Sequence, residues 1–169
     1  ASLFRISLSR GKTVISVEDE LKHARNYMNI QKVRYKNIFE VRFDIDPEIL
    51  QCCTVKLVVQ PLLENAIYHG MEGMYEDGEI TIRIYDRDGD IGIDVADNGP
   101  GMTQETIDHI MHNKVISSKR GSGIGVRNVN ERIQLIYGED YGVTITSELD
   151  EGTTATITIP KMEETDDAR

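Results

Sequence analysis

The chain has 169 residues, and 29 acidic against 19 basic side chains give it a formal net charge of −10 at neutral pH. That balance repels nucleic acid unless basic side chains gather on one face, and no such cluster stands in the sequence. The length is enough to bury a core without disulfides, and no apolar run approaches the roughly 20 residues of a membrane-spanning helix. Cys52 and Cys53 are adjacent, which suits neither a structural disulfide nor a zinc site, so a soluble, cytosolic domain with reduced thiols is expected.

Leu3, Phe4, Ile6 and Leu8 precede Gly11 and read as the end of a longer element. Ser16 and Asp19 then stand at capping-box spacing, with Val17, Leu21, Ala24 and Met28 on one stripe, which predicts a helix to about Tyr35. Glu40 to Asp46 alternates Val41, Phe43 and Ile45 as a half-buried strand, stopped by Pro47. A second helix is predicted over Thr54 to Gly70, largely buried, with Pro61 inviting a kink. Two alternating strands, "EITIRIYD" and "DIGIDVAD", flank the hairpin signal Arg87, Asp88, Gly89. Ile91, Ile93 and Val95 share a face of the second strand, which runs into "DNGPGM", Asp97 to Met102.

A short helix from about Thr103, the polar stretch "HNKVISSKR" and the glycine cluster "GSGIG" follow. The third helix, "VRNVNERIQLIY", carries Val126, Val129, Ile133 and Ile136 on its stripe and ends at Gly138. The strands "VTITSEL" and "TTATITI" come next, and "MEETDDAR" after them has no periodicity and is expected to be disordered. This mixture predicts an α+β chain: a two-layer α/β sandwich with a mixed, mostly antiparallel sheet and helices on one face.

Three stretches carry possible chemistry. Asp97 should sit where a sheet ends, and Gly99 and Gly101 let another group approach the backbone, so the corner is either a structural turn or a ligand's floor. Gly121, Gly123 and Gly125 are not a dinucleotide fingerprint, because Val126 stands where the third glycine belongs, and Ile6 likewise spoils a P-loop ending in Gly11–Thr13. Glycines just before a helix expose its first N–H groups to an anion, yet a plain loop-to-helix junction accounts for them equally well. Asn65, with Glu64 and His69, lies on a largely apolar helix, where an unpaired amide costs about 1–3 kcal/mol. It either ties down a neighbouring loop, the commoner case, or completes the oxygen shell of Mg²⁺.

Taken in order, "ENAIYHG", "DNGPGM", "GSGIGVRNV" and "EGTTATITIP" resemble the N, G1, G2 and final threonine boxes of the Bergerat (GHKL) ATP-binding fold, over about Thr54 to Pro160. Sensor histidine kinases, gyrase-type ATPases, heat-shock chaperones and mismatch-repair ATPases share that fold. The resemblance implies that ATP and Mg²⁺ bind. Asp97 would accept a hydrogen bond from the adenine amino group, and Gly99 and Gly101 would let the base lie against the backbone. Met102 would open a short ATP lid reaching Ser122. Asn65 would hold Mg²⁺, while Gly121, Gly123, Ile124 and Gly125 would wrap the phosphates. Thr153 or Thr154 would support Asp97 or a water beside the adenine. His69 and Lys119 would neighbour the phosphates; Tyr68 stands where many kinases of the fold have a lysine.

The ATPases of the fold place a general-base glutamate one turn before the asparagine, and here that position is Pro61, with Glu64 on a different helical face. No catalytic residue is therefore assigned. "SVEDELKHARNYMNIQKVRYKN" and "VVQPLLENAIYHG" are similar to the autolysin-sensor type of bacterial histidine kinase, with Val126 in place of a leucine. The acceptor histidine of that type lies in an upstream "NPHFLxN" phrase, which none of His23, His69, His109 and His112 occupies. The resemblance thus implies the catalytic domain of a two-component sensor kinase, passing the γ-phosphate to a histidine on an upstream helix and thence to a response regulator. Residues 1–15 would be the end of that dimerisation helix and a linker, 16–161 the ATP-binding domain and 162–169 a disordered acidic tail. It would be the cytoplasmic part of a membrane-anchored sensor, itself touching neither membrane nor nucleic acid. The alternatives are a Bergerat-type ATPase and a non-catalytic nucleotide-binding interaction module.

Overall fold

The structure, a computed structural model, describes residues 13–71, 73–74, 76–112 and 124–163. A short strand, β1 (Val14–Ser16), leads into helix α1 (Val17–Arg34). Ser16 caps the helix by accepting from the Asp19 N–H at 3.1 Å, and three acids in the first turn suit the positive end of the helix. Val17, Leu21, Ala24 and Met28 are buried as the spacing predicts. Lys36 and Asn37, both at positive φ, turn the chain into β2 (Phe39–Ile45), where buried or half-buried residues alternate with exposed ones. Asp46 then caps a 3₁₀ turn, Pro47–Gln51.

The second helix is shorter than expected and starts later. Cys53–Val55 forms a strand, β3, paired antiparallel with β1, and Leu57 at φ +59° breaks any continuation. Helix α2 runs Val59–Asn65 and passes into a π turn, Ala66–Met71. Pro61 is the third residue of α2, where a backbone N–H would have no partner within the helix, so it starts the helix instead of kinking it.

Strands β4 (Gly78–Arg87) and β5 (Asp90–Asp97) follow, joined through Asp88 and Gly89, both at positive φ as a two-residue hairpin demands. Then come helices α3 (Gln104–His112) and α4 (Ile124–Tyr137) and strands β6 (Gly142–Glu148) and β7 (Gly152–Pro160). Among the described residues the main sheet has the order β2-β4-β5-β7-β6, parallel only between β2 and β4. One sheet face is apolar: Ile80, Ile82, Ile84, Ile91, Ile93, Val95, Ala155, Ile157 and Ile159 are buried in one cluster with Met28, Leu62, Leu63, Val126, Val129 and Ile133 from the helices. The other face is polar, with Tyr85 and Thr156 hydroxyls donating to Asp94. This is the predicted two-layer sandwich.

One further expectation changes. Ile136 is 39% exposed, because the 3.6-residue repeat carries the α4 stripe round to Tyr137, which packs on the core. Backbone pairing includes Val14 and Ile15 in β1, the Cys53 N–H, which donates to the Met162 carbonyl at 2.7 Å, and a bridge between Cys52 and Glu163. The rest of the tail, 164–169, lies outside the described residues. Both cysteines are buried and neither is in a disulfide, and burial pushes the Cys52 thiol pKa up. No helix among the described residues is long and apolar enough to cross a membrane.

Candidate functional site

Asp97 ends β5, facing Ile80 of β4 on one side and Thr153 of β7 on the other. Its carboxylate accepts from the Gly99 N–H at 2.9 Å and from the backbone of Thr153. Burial outweighs these donors and pushes its pKa up to about 6. Glycines wall it in: a Cβ on Gly70 would lie 2.5 Å from the Asp97 Cγ, and one on Gly99 would run into the Gly70 backbone. Gly101, at φ +79°, sits against the Glu148 backbone, and the Asp150 N–H donates to the Pro100 carbonyl at 2.7 Å. Asn98 locks the corner to β4, accepting from the Glu79 N–H at 2.8 Å and donating to the Asp77 carbonyl at 2.9 Å.

Asn65 is 4% exposed, and its buried Oδ1 has no hydrogen-bond partner among the described residues. The loop-tying role expected for a buried amide oxygen is thus not taken up there. Five steps of an α-helix would rotate Gly70 well away from Asn65, but the π turn between them bonds i to i+5 and keeps the two on one side of the segment. Gly70 packs on Asp97, so the helical segment that carries Asn65 borders that carboxylate. Such an oxygen fits a hard cation, whereas no group of three His, Cys, Asp or Glu among the described residues could hold a metal unaided. His69 lies in the π turn, its ring edge-on to Tyr68 at 4.8 Å. Tyr68 lines a groove of about 290 Å³ with Tyr27, Gln31 and Arg34 of α1 and Tyr35 just after it, which Glu64 and Ile67 complete.

The threonine pair divides. Thr153 is buried opposite Asp97, while Thr154 pairs with Ala96 and so points to the other sheet face. Ser147 of β6, absent from the sequence reading, organises this wall. Its hydroxyl accepts from the Met102 N–H at 2.7 Å, donates to the Gly152 carbonyl at 2.9 Å and lies 2.8 Å from Thr153 Oγ1. A hydroxyl has one proton, so Thr153 donates to Ser147, which leaves the Thr153 oxygen as an acceptor.

The expected lid is partly anchored. Thr103 caps α3 by accepting from the Thr106 N–H at 3.2 Å, and Ile107 and Ile110 are buried. Lys119, Arg120, Gly121, Ser122 and Gly123 lie outside the described residues. Ile124 opens α4, and Gly125 approaches Pro61 so closely that a Cβ on it would stand 3.1 Å from the proline Cβ. The contact of Gly70 with Asp97 and the π turn were also missed; the signal in the sequence was the glycine that closes the N-box stretch "ENAIYHG".

The family model described as "Histidine kinase-, DNA gyrase B-, and HSP90-like ATPase" matches residues 54–163, and that for "Histidine kinase" matches residues 1–39. The chain is similar to the sensor histidine kinase YesM of Bacillus subtilis (strain 168), 38% identical over 94% of this chain and 26% of that protein. It is also similar to the sensor protein LytS of Bacillus cereus, 33% identical over 94% of this chain and 27% of that protein. The chain therefore spans about a quarter of the length of these curated relatives. Among solved structures, the catalytic domain of histidine kinase ThkA superposes with a TM-score of 0.67 at 18% identity, covering 88% of this chain and 97% of that one. The mycobacterial sensor histidine kinase MprB gives 0.65 at 16% identity over 89% and 97%. These two likenesses concern the fold alone. The chain belongs to the histidine kinase-, DNA gyrase B- and HSP90-like ATPase family, as a sensor histidine kinase catalytic domain of the autolysin-sensor type.

Proposed function

We propose that this domain binds Mg-ATP and presents the γ-phosphate to a histidine on the dimerisation helix of its parent kinase, from which a response regulator's aspartate then takes it. The observation that carries the reading is Asp97, a carboxylate walled by Gly70 and Gly99, while the helix that leads to Gly70 carries a buried Asn65 oxygen with no hydrogen-bond partner among the described residues.

Each residue has a role that follows from its surroundings. Ionised at neutral pH, Asp97 accepts the adenine amino N–H, and the low dielectric that raises its pKa also strengthens that bond. Gly99 and Gly101 let the corner close on the Gly70 and Glu148 backbones beside the base, and Met102, fixed by Ser147, closes its edge. Thr153, rather than Thr154, offers its oxygen to an N–H or a water beside the base. Asn65 Oδ1 holds Mg²⁺ together with the phosphates; when bound, the ion neutralises phosphate charge during transfer. His69, Lys119, Gly121, Gly123, Ile124 and Gly125 complete the phosphate side by resemblance to the family's boxes.

Pro61 explains why the proposal is a kinase. It accepts no proton and instead packs on Gly125, while Glu64, beside Asn65 in sequence, is exposed and accepts from Gln60 Nε2 at 3.2 Å. A neutral imidazole nucleophile needs no base, but water does. We read residues 16–161 as the ATP-binding unit, 1–15 as the link to the dimerisation helix and the parent as a membrane-anchored sensor holding this domain in the cytoplasm. Incubation with γ-labelled ATP and a peptide carrying the acceptor histidine should label the peptide and leave this chain unlabelled. Steady phosphate release by the chain alone, lost in Glu64→Gln, would make it an ATPase instead.

A further inference from the structure

A single turn, Lys56–Val59, collects bonds from three parts of the chain just before α2 begins. The Lys56 N–H donates to the Thr13 carbonyl at 2.9 Å, and the Lys56 carbonyl accepts from Arg132 Nη2 of α4 at 2.7 Å. Glu20 of α1, only 2% exposed, takes the next three backbone donors: Leu57 at 2.8 Å, Val58 at 2.9 Å and Val59 at 3.0 Å. Leu57 stands at φ +59°, a conformation a leucine keeps only where its surroundings over-determine it. Three charge-assisted bonds to one buried carboxylate supply that constraint.

The cap of α2 thus comes from a different helix. Val58, its N-cap residue, makes no side-chain cap bond. Glu20 satisfies the orphan N–H groups at the helix start, and Pro61 has none to satisfy. A helix of seven residues is too short to hold its place by backbone bonds alone, so its ends decide where it stands. At the start of α2 those ends are Glu20 from α1 and Arg132 from α4, and the close Pro61–Gly125 contact adds a second brace to α4. Asn65 is the last residue of α2, about 9 Å along the axis from Val59. The carboxylate of Glu20 also sets a negative charge at this helix start, which keeps it from competing for phosphate with the start of α4.

We infer that Glu20 and Arg132 are positioning residues for Asn65: acting through the Lys56–Val59 turn, they hold its amide oxygen at a fixed height relative to the start of α4, where the phosphates are gripped. This rests on the Mg-ATP reading above. A metal-holding oxygen must stand within about 0.5 Å of its working place, which a loose two-turn helix cannot ensure. Neither residue is asked to touch nucleotide or metal.

The readout is the gain in ATP affinity that Mg²⁺ confers, measured by calorimetry on the 169-residue chain with and without the ion, alongside amide hydrogen exchange. In Glu20→Gln one carboxylate oxygen becomes an NH₂ that cannot accept from a backbone N–H. The metal gain should fall about tenfold, Mg-free affinity should stay within about twofold, and exchange at residues 57–59 should quicken. Arg132→Met should move the gain the same way by a smaller factor, and Arg132→Lys should restore part of it. A metal gain retained in both variants, or a proportional loss with and without Mg²⁺, overturns the inference and leaves the two as ordinary stabilising groups. If Glu20→Gln loses its cooperative melt, the Arg132 pair decides by the same ratio. A wild-type chain with no metal gain overturns the Mg-ATP reading itself, and this inference with it.

Discussion

Asp97 fills the place where a side chain on Gly70 would have to stand, its two carboxylate oxygens lying 2.6 and 2.8 Å from that missing Cβ. Asp97 cannot retreat, because ladders to Ile80 and Thr153 hold it on both sides. In an ordinary helix Gly→Ala gains up to about 1 kcal/mol, but overpacking of about 1–3 kcal/mol outweighs that here. Gly70→Ala should therefore melt several degrees below wild type and bind ATP at least about tenfold more weakly. Wild-type affinity in this variant, measured by calorimetry, would place the base somewhere other than against Asp97.

The raised pKa of Asp97 gives two pH dependences of opposite sign. The folded chain holds this proton up to about pH 6, whereas an unfolded aspartate releases it near pH 4. Between those values the folded state binds more protons, so this group's contribution to stability falls as pH rises from about 4 to 6, by about 3 kcal/mol in all. ATP affinity should move the other way, strengthening as pH rises through about 6, because the ionised carboxylate is the better acceptor for the adenine amino group. Asp97→Asn should remove both trends when melts and affinities are compared with wild type from pH 5 to 8. It should also weaken the preference for ATP over GTP, whose ring offers an acceptor at the same position.

Ser147 is the keystone of the wall beside Asp97, and Ser147→Ala removes three bonds together. The Met102 N–H and the Gly152 carbonyl lose their partner, and the Thr153 hydroxyl loses its acceptor. A loss of about 1–3 kcal/mol is expected, seen as a melting temperature lower by several degrees. Faster amide exchange at Met102 distinguishes this local cause from a general loosening of the fold. If both quantities match wild type, the wall is held by something other than Ser147.

The features legible in the sequence were those with a period or a distinctive backbone requirement. Val17, Leu21, Ala24 and Met28 announced α1 by their spacing, and alternation announced β2, β4 and β5. Asp97 stood out because glycines follow it, and a close approach to backbone needs glycine. Three-residue strands such as β1 and β3 carry no readable alternation, so Thr54 and Val55 were absorbed into the apolar run of the following helix. Glu20 looked like any acid in a first turn; its partners lie 37 to 39 residues away, and no local pattern encodes them. Ser147 was hidden for the same reason, its bond to Met102 spanning 45 residues, and the π turn was hidden because its local i to i+5 bonds leave no pattern that differs from an α-helix's. Lys119, Gly121 and Gly123 lie outside the described residues, and their part rests on the family's boxes.

Asn65 offers the sharpest separation of stability from function. Its Oδ1 is buried without a partner among the described residues, a state that costs the chain about 1–3 kcal/mol relative to a satisfied oxygen. Asn65→Ala removes that unmet acceptor and adds helix propensity, against the loss of a small packed group. The melting temperature of the nucleotide-free chain should hold or rise, while the Mg²⁺-dependent gain in ATP affinity disappears. Asn65→Asp keeps an oxygen at the same place but buries a charge with nothing to balance it, so that variant should melt well below wild type alone and recover when Mg-ATP is added. A purely structural asparagine predicts the reverse order: Asn65→Ala would destabilise, and Mg-ATP would rescue neither variant.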